Sequence, residues 1–328
     1  MARTMLKVDK SKYSNSLIRK SEIFMSDFTF EEFFNVFDEF ITLKTLEGLS
    51  PRSIHDYKTN TRYFKEYLEQ EQRTALIRCV DIDVFRGYVF YMHQEKEFKP
   101  CTINIRLRTL KAYLKWLLRE GYIDEDIATR IKLVKEPLDT IVPLSDNEVK
   151  KLLKMPNKET YAGLRDFTIM IVMLDCGIRV GELVNLKVEN IDLKGRCINV
   201  PSEIAKARTF RQMPISSKTV KLLKDIIAIV EDTDYLFPSA YGNKLDTNQI
   251  INSFSKYGKS ANIKTKCTPH VFRHTFALNF IKGGGDVFAL QRILGHSTLD
   301  MSRRYIQLSD KDLMKKHKEV SPLSKFLK

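Results

Sequence analysis

Four groups of reactive side chains lie in the second half of this 328-residue chain. Arg179 sits in CGIRVGEL, just past the helix-breaking Gly177 and at the start of a new helix. There its guanidinium adds donors to the exposed amides of a helix start, which suits a phosphate; pairing with Glu182 one turn on is the equal alternative. His270, Arg273 and His274 follow Pro269 in TPHVFRHTFA. Pro269 favours helix initiation, and the i, i+3 spacing sets His270 and Arg273 on one face, one titratable and one always charged. That pair can clamp an oxyanion, whereas a capped helix with a core histidine is the plain alternative; His274 is expected to point away from the pair. His296 stands in ILGHST at a helix end, and Tyr305 follows nine residues later in MSRRYIQL. Lys206 falls between two β-like runs in EIAKARTFRQMPI. Singly, a tyrosine beside arginines is a surface residue and a hairpin lysine a solvated one.

The elements that must position these residues read from periodicity and punctuation. Residues 1–27 form a polar, basic arm. A helix is expected from about Thr29, with Phe30, Phe33, Phe34, Phe37, Phe40 and Ile41 at helical spacing and Gly48 as its stop. Ser50-Pro51 opens a second, Ile82 to His93 makes a third, and Thr102 caps a fourth beyond Pro100. KEPLDTIVP reads as a linker. After it, Ser145 to Glu148 is a capping box, and Thr160 to Cys176 is an apolar helix stopped by Gly177. Three short β-like runs come next, near 190–193, 196–200 and 210–215, and helices return from Lys218, with Gly283-Gly284-Gly285 ending the one that carries Arg273.

Charge limits the partners. Fifty-five Lys and Arg against 41 Asp and Glu leave +14, which favours a polyanion because neutralised phosphates release counterions. The five cysteines are scattered and odd in number, against a disulfide framework or zinc knuckle. No secretory signal or bilayer-length apolar run is read, so a cytoplasmic protein without membrane association is expected.

Arg179, Lys206, His270, Arg273, His296 and Tyr305 occur in the order and contexts of the tyrosine recombinase (phage integrase) family, which this chain resembles after about Thr29, most strongly from Pro143 to Tyr305. CGIRVGEL looks like that family's first arginine box, TPHVFRHTFA like its His-x-x-Arg-His box, and ILGHST with Tyr305 like its terminal box. Lys206 stands eight residues before Pro214, as in the hairpin of bacterial Xer recombinases. Ala205 and Ala207 replace the glycines that many relatives carry around that lysine.

The resemblance implies a fold class that is mainly α with a small antiparallel β-sheet, in two domains that clamp DNA like a C. The expected divisions are the arm (1–27), a helical SAM-like core DNA-binding domain (28–134), a linker (135–143), a catalytic domain (144–308) and a tail (309–328) that packs in cis or passes to a neighbouring protomer. It implies Tyr305 as nucleophile, Arg179 and Arg273 as stabilisers of the pentacoordinate phosphorus, and His270 and His296 as further donors, with His270 taking the Tyr305 proton. Lys206 protonates the departing 5′ hydroxyl, and Glu182 orients the site. Arg52, Lys58, Arg106, Arg108, Lys111, Arg208 and Arg211 are the expected DNA contacts. No metal and no cofactor is implied. The implied partners are double-stranded DNA with specific core sites and a homotetramer on synapsed DNA, a monomer in solution, an accessory factor or a second recombinase being further options. Integration and excision of a bacterial mobile element is the favoured biology, with Xer-type dimer resolution the alternative.

Other classes fit less well. Cys267 to Arg273 has the Cys-x5-Arg spacing of tyrosine phosphatases, but Pro269 removes an amide that such a loop needs, and Val271 and Phe272 are bulky. A non-catalytic DNA-binding regulator would leave the nucleophile idle, and type IB topoisomerases share the chemistry without synapsis.

Overall fold

The computed structural model describes residues 28–70, 81–136, 142–230, 233–295, 317 and 321. The expected arm (1–27), the centre of the expected linker and nearly all of the expected tail lie outside them. The chain divides into two compact units, Met1–Asp139 and Thr140–Lys328.

The first unit is helical. α1 (Phe30–Asn35) opens on a Thr29/Glu32 capping box, and α2 (Phe37–Leu46) follows after one residue, Val36. The sequence reading had these as one helix, and the break is slight, since the Val36 amide still bonds Glu32 O. α3 (Pro51–Gln70), α4 (Ile82–Phe90, extended by a π turn over Tyr91–Glu95), α5 (Pro100–Arg119) and α6 (Ile127–Arg130) complete the unit. The N-cap of α5 is Lys99 and not Thr102. Pro100 occupies the first helical position, where its missing N–H costs nothing, and the Thr102 amide already bonds Lys99 O. The aromatic stripes are core. Phe33 and Phe40 each pack on Tyr113, with ring centroids 4.7 and 5.0 Å away, and Tyr113 Oη donates to Phe33 O at 2.6 Å. A buried Asn60 Nδ2 to Thr109 Oγ1 bond of 3.0 Å joins α3 to α5.

The second unit begins with α7 (Asp146–Leu152), opened by the expected Ser145/Glu148 capping box. Thr160 caps α8 (Tyr161–Cys176), whose buried Ile169, Met170, Val172 and Met173 form the middle of the core. Gly177 ends α8 in the left-handed conformation (φ 64°), which a side chain adopts only with strain. The short α9 (Val180–Leu183) leads to β1 (Ile191–Asp192), β2 (Cys197–Val200) and β3 (Arg211–Pro214), the three β-like runs of the sequence. They form one antiparallel sheet in the order β1-β2-β3, with Cys197 opposite Pro214 and Val200 opposite Arg211. α10 (Ser217–Ile229), α11 (Thr247–Ser260), α12 (Pro269–Lys282) and α13 (Val287–Leu294) follow. Gly283 ends α12, as its glycine run predicted, and α12 packs on α8 and α13. This mainly helical fold with one small antiparallel sheet is the expected class.

Candidate active site

Two breaks in the chain build the site. The left-handed Gly177 turns the chain after α8, buried Ile178 pins the turn, and Arg179 stands at the N-terminal boundary of α9. The left-handed Gly295 (φ 61°) ends α13 and leaves its last carbonyls without helical partners. Three arginines from three elements take those carbonyls in sequence order. Arg211 Nε of β3 donates to Ile293 O (3.1 Å), Arg273 Nη2 of α12 to Leu294 O (2.7 Å), and Arg179 Nη2 to Gly295 O (3.0 Å). A helix C-terminus carries partial negative charge, so it suits cations. Arg273 is 5% exposed and also donates from Nη1 to Gly177 O at 2.7 Å, which ties the two breaks together.

Glu182 sits at the centre, 1% exposed. Its Oε1 accepts from Arg179 Nη1 (3.1 Å), Arg211 Nη1 (3.2 Å) and the Lys206 amide (3.2 Å). Its Oε2 accepts from Arg211 Nη2 (2.6 Å) and the Arg179 amide (3.2 Å). Burial pushes this carboxyl up, but the bonds and charge of Arg211, then the Arg179 charge and the Lys206 amide, outweigh it and hold the group below the ordinary carboxylate range. Arg179 thus pairs with Glu182 and stands at the N-cap of α9.

Lys206 lies in the ten-residue connection between β2 and β3, exposed, with buried Ala205 beside it as the anchor. The turn is made by the Arg208 amide bonding Ala205 O (2.9 Å), with Arg208 itself left-handed (φ 53°). His270 is exposed in the first turn of α12. Desolvation by the surrounding chain, and then the charges of Arg273, Lys206 and Arg179, hold its pKa below the usual histidine value. Arg179, Lys206, His270 and Arg273 thus come together, since His270 feels the other three charges. His296 and Tyr305 lie outside the described residues.

His274 does not point away from His270, as the sequence reading had it. The rings meet nearly perpendicular at 5.3 Å, because i and i+4 share a helix face. Cys267 is buried, donates to Thr265 O (3.5 Å), and has its thiol pKa raised by burial and by Glu148. A phosphatase nucleophile needs the opposite shift.

The expected DNA contacts separate into two groups. Arg52, Lys58, Arg108 and Arg208 are exposed, with Arg52 near Asp56 and Arg108 near Glu136. Arg106, Lys111 and Arg211 instead have partners within the fold. The Arg106 guanidinium is buried over the rings of Tyr63 (3.9 Å) and Phe98 (4.4 Å). Lys111 Nζ donates to Ala128 O and Ile131 O, where it closes α6. Arg211 is committed to Glu182 and Ile293. A signal for Arg106 was in the sequence, since it lies on the same α5 face as Ile103, Leu107 and Leu110.

Comparison with known families decides what this assembly belongs to. Residues 143–312 match the phage integrase family, and residues 32–133 match the phage integrase SAM-like domain. The chain belongs to the phage integrase family. It is a tyrosine recombinase, a class of enzyme that exchanges DNA strands. Among its relatives is the tyrosine recombinase XerC of Myxococcus xanthus, 26% identical over 290 residues and covering 85% of this chain and 95% of that protein. The tyrosine recombinase XerD of Staphylococcus epidermidis is 27% identical over 298 residues, covering 88% and 98%. The Tn1549 transposon integrase in complex with transposon right end DNA has the same fold, with TM-score 0.70 at 18% identity over 85% of this chain and 96% of that one. So does a lambda integrase dimer bound to a COC′ core site, with TM-score 0.69 at 16% identity over 84% and 97%. No described helix of this family member is long and apolar enough to cross a membrane.

Proposed function

We propose that this recombinase cuts and rejoins DNA at specific core sites through a covalent link to Tyr305. The Tyr305 oxygen attacks the scissile phosphorus, the bond to the 5′ oxygen breaks, and a 3′-phosphotyrosyl link and a free 5′ hydroxyl result. A phenol with a pKa near ~10 needs a proton acceptor, and His270, held neutral at pH 7 by its setting, takes that proton. Arg179 and Arg273 stabilise the charge that builds on the non-bridging oxygens, and His296 adds a donor. Lys206 gives its proton to the 5′ oxygen, and Glu182 fixes the bearings of Arg179 and Lys206. The cationic side chains supply the charge stabilisation, so the reading includes no metal or cofactor. The free 5′ hydroxyl then attacks the phosphotyrosine of a partner duplex, giving a Holliday junction within a homotetramer on synapsed DNA.

The observation that carries this reading is the gathering of Arg179, Arg273 and Glu182 at the Gly177 and Gly295 breaks, with Lys206 and His270 at the same site. Integration and excision of a bacterial mobile element, in the cytoplasm and on the nucleoid, is the biology we favour. The XerC and XerD relatives lend chromosome- or plasmid-dimer resolution equal support. Both readings predict strand exchange between two copies of a duplex that the protein selects from a random-sequence pool, and loss of exchange in Tyr305→Phe. The selected sequence separates them: a single chromosomal or plasmid site means dimer resolution, and the ends of a mobile segment mean transposition. A protein that holds its selected duplex but neither exchanges strands nor links to DNA is a binding regulator.

A further inference from the structure

We propose that Arg211 is a positioning residue for strand cleavage: acting through Glu182, it fixes Lys206, and it is not a DNA contact. The inference rests on the reading above in taking Lys206 as the proton donor to the leaving oxygen.

The Arg211 side chain is 9% exposed, and its donors are turned inward. Nη1 and Nη2 grip both oxygens of Glu182 in an end-on fork, and the 2.6 Å bond to Oε2 is the shortest that this carboxylate makes. Nε holds Ile293 O, so one planar group joins β3, α9 and the end of α13. The Gly295 backbone lies against it, since a Cβ there would come within 3.2–3.3 Å of Arg211 Cδ, Nε and Cζ. A phosphate contact needs a guanidinium turned outward, and this one is not.

The consequence runs through Glu182. The oxygen that Arg211 holds with Nη1 is the one that receives the Lys206 amide. Without the fork, the buried carboxylate keeps only Arg179 as a charged partner and turns with it. The Lys206 amide then loses its fixed acceptor, and the connection that carries the exposed Lys206 side chain loses its hold near the phosphate.

The test uses a duplex selected by the wild-type protein from a random pool and nicked so that cleavage is irreversible. It is made with either the ordinary 5′ oxygen or a bridging 5′ sulfur at the scissile bond. A thiolate leaves without a proton, so the sulfur substrate removes the need for Lys206. Arg211→Gln is expected to bind within about threefold of wild type with an unchanged salt slope, and to form the covalent complex about 100-fold more slowly on oxygen. On sulfur the defect shrinks to about tenfold or less, as it does for Lys206→Ala. Arg211→Lys keeps the charge without the fork, shows the same pattern more weakly, and carries the test if the melting curve shows Arg211→Gln unfolded. Weaker binding with a salt slope reduced by about one makes Arg211 a phosphate contact and overturns the proposal. So does an unchanged rate, or equal slowing on both substrates. A wild-type protein that forms no covalent complex on either substrate overturns the functional reading, and this inference with it.

Discussion

Arg179 and Arg273 are held by neighbouring carbonyls at one helix end: Arg179 Nη2 on Gly295 O at 3.0 Å and Arg273 Nη2 on Leu294 O at 2.7 Å. They come from distant parts of the chain, and the C-terminus of α13 brings their guanidinium groups into register. The fold thus uses an obligatory need, the unsatisfied carbonyls of a helix end, to preorganise two cations.

Arg273→Lys tests that preorganisation. A single ammonium on a flexible stem cannot hold Gly177 O and Leu294 O in the planar geometry of the fork. The expected outcome is covalent-complex formation slowed by about 10²–10³, with duplex affinity within a few-fold of wild type. Single-turnover cleavage assays beside filter binding check both numbers; a loss of binding equal to the loss of rate would make Arg273 an affinity residue instead.

Gly177→Ala should be severe for reasons that can be read from the backbone. The residue is left-handed, and an added Cβ would lie 2.3 Å from Phe276 Cδ1 and 2.8 Å from a Leu294 methyl. Strain and overpacking together are expected to cost about 2–4 kcal/mol in urea unfolding. Gly121 is also left-handed (φ 75°), but with nothing within 4 Å of the added Cβ, so Gly121→Ala should cost only about 1 kcal/mol.

The histidine beside the arginines gives a pH signature. Desolvation and the three neighbouring charges lower the His270 pKa, so the neutral, accepting form predominates at pH 7. Cleavage should fall as pH falls through that pKa. An NMR titration should place His270 below 6.5 in the free protein, and Lys206→Ala should move it upward by removing one of the three named charges. No movement in Lys206→Ala would show that the lysine does not sit over the histidine.

In the first unit, Arg106 and Arg52 should behave oppositely. Arg106→Ala removes a buried cation from two aromatic faces and is expected to destabilise the protein by about 1–3 kcal/mol. Arg52 is 86% exposed, so Arg52→Ala should leave stability within about 0.5 kcal/mol of wild type. If Arg52 meets a phosphate, that variant weakens binding about equally across sequences and lowers the salt slope by about one. Unfolding and salt-dependent binding curves on both variants give the comparison.

Local chemistry was legible where it is local. The Ser145/Glu148 capping box, the apolar run of α8 with its Gly177 stop, the three β runs and the glycine end of α12 follow from a few adjacent residues each. The Thr102 cap failed because Pro100 already satisfies the helix start, so Thr102 falls inside the first turn. What the sequence hid is the direction in which a cation turns. Lys111 and Arg211 carry the same charge as Arg52 or Lys58, and only tertiary packing sets them against carbonyls and a carboxylate, whereas the apolar face around Arg106 marks it for burial. Arg211 was the hardest to read, because its two partners, Glu182 and Ile293, lie 29 and 82 residues away. His274 was misread for a simpler reason, the shared face of i and i+4.

The most direct test of the central claim is to identify the residue that holds the DNA. The wild-type protein is trapped on its selected, nicked duplex, digested with protease and nuclease, and the adducted peptide is sequenced by mass spectrometry. The expected result is a nucleotide phosphate on Tyr305, attached through the DNA 3′ end, and no adduct in Tyr305→Phe. An adduct on another side chain, attachment through a 5′ phosphate, or a covalent complex that persists in Tyr305→Phe would contradict it.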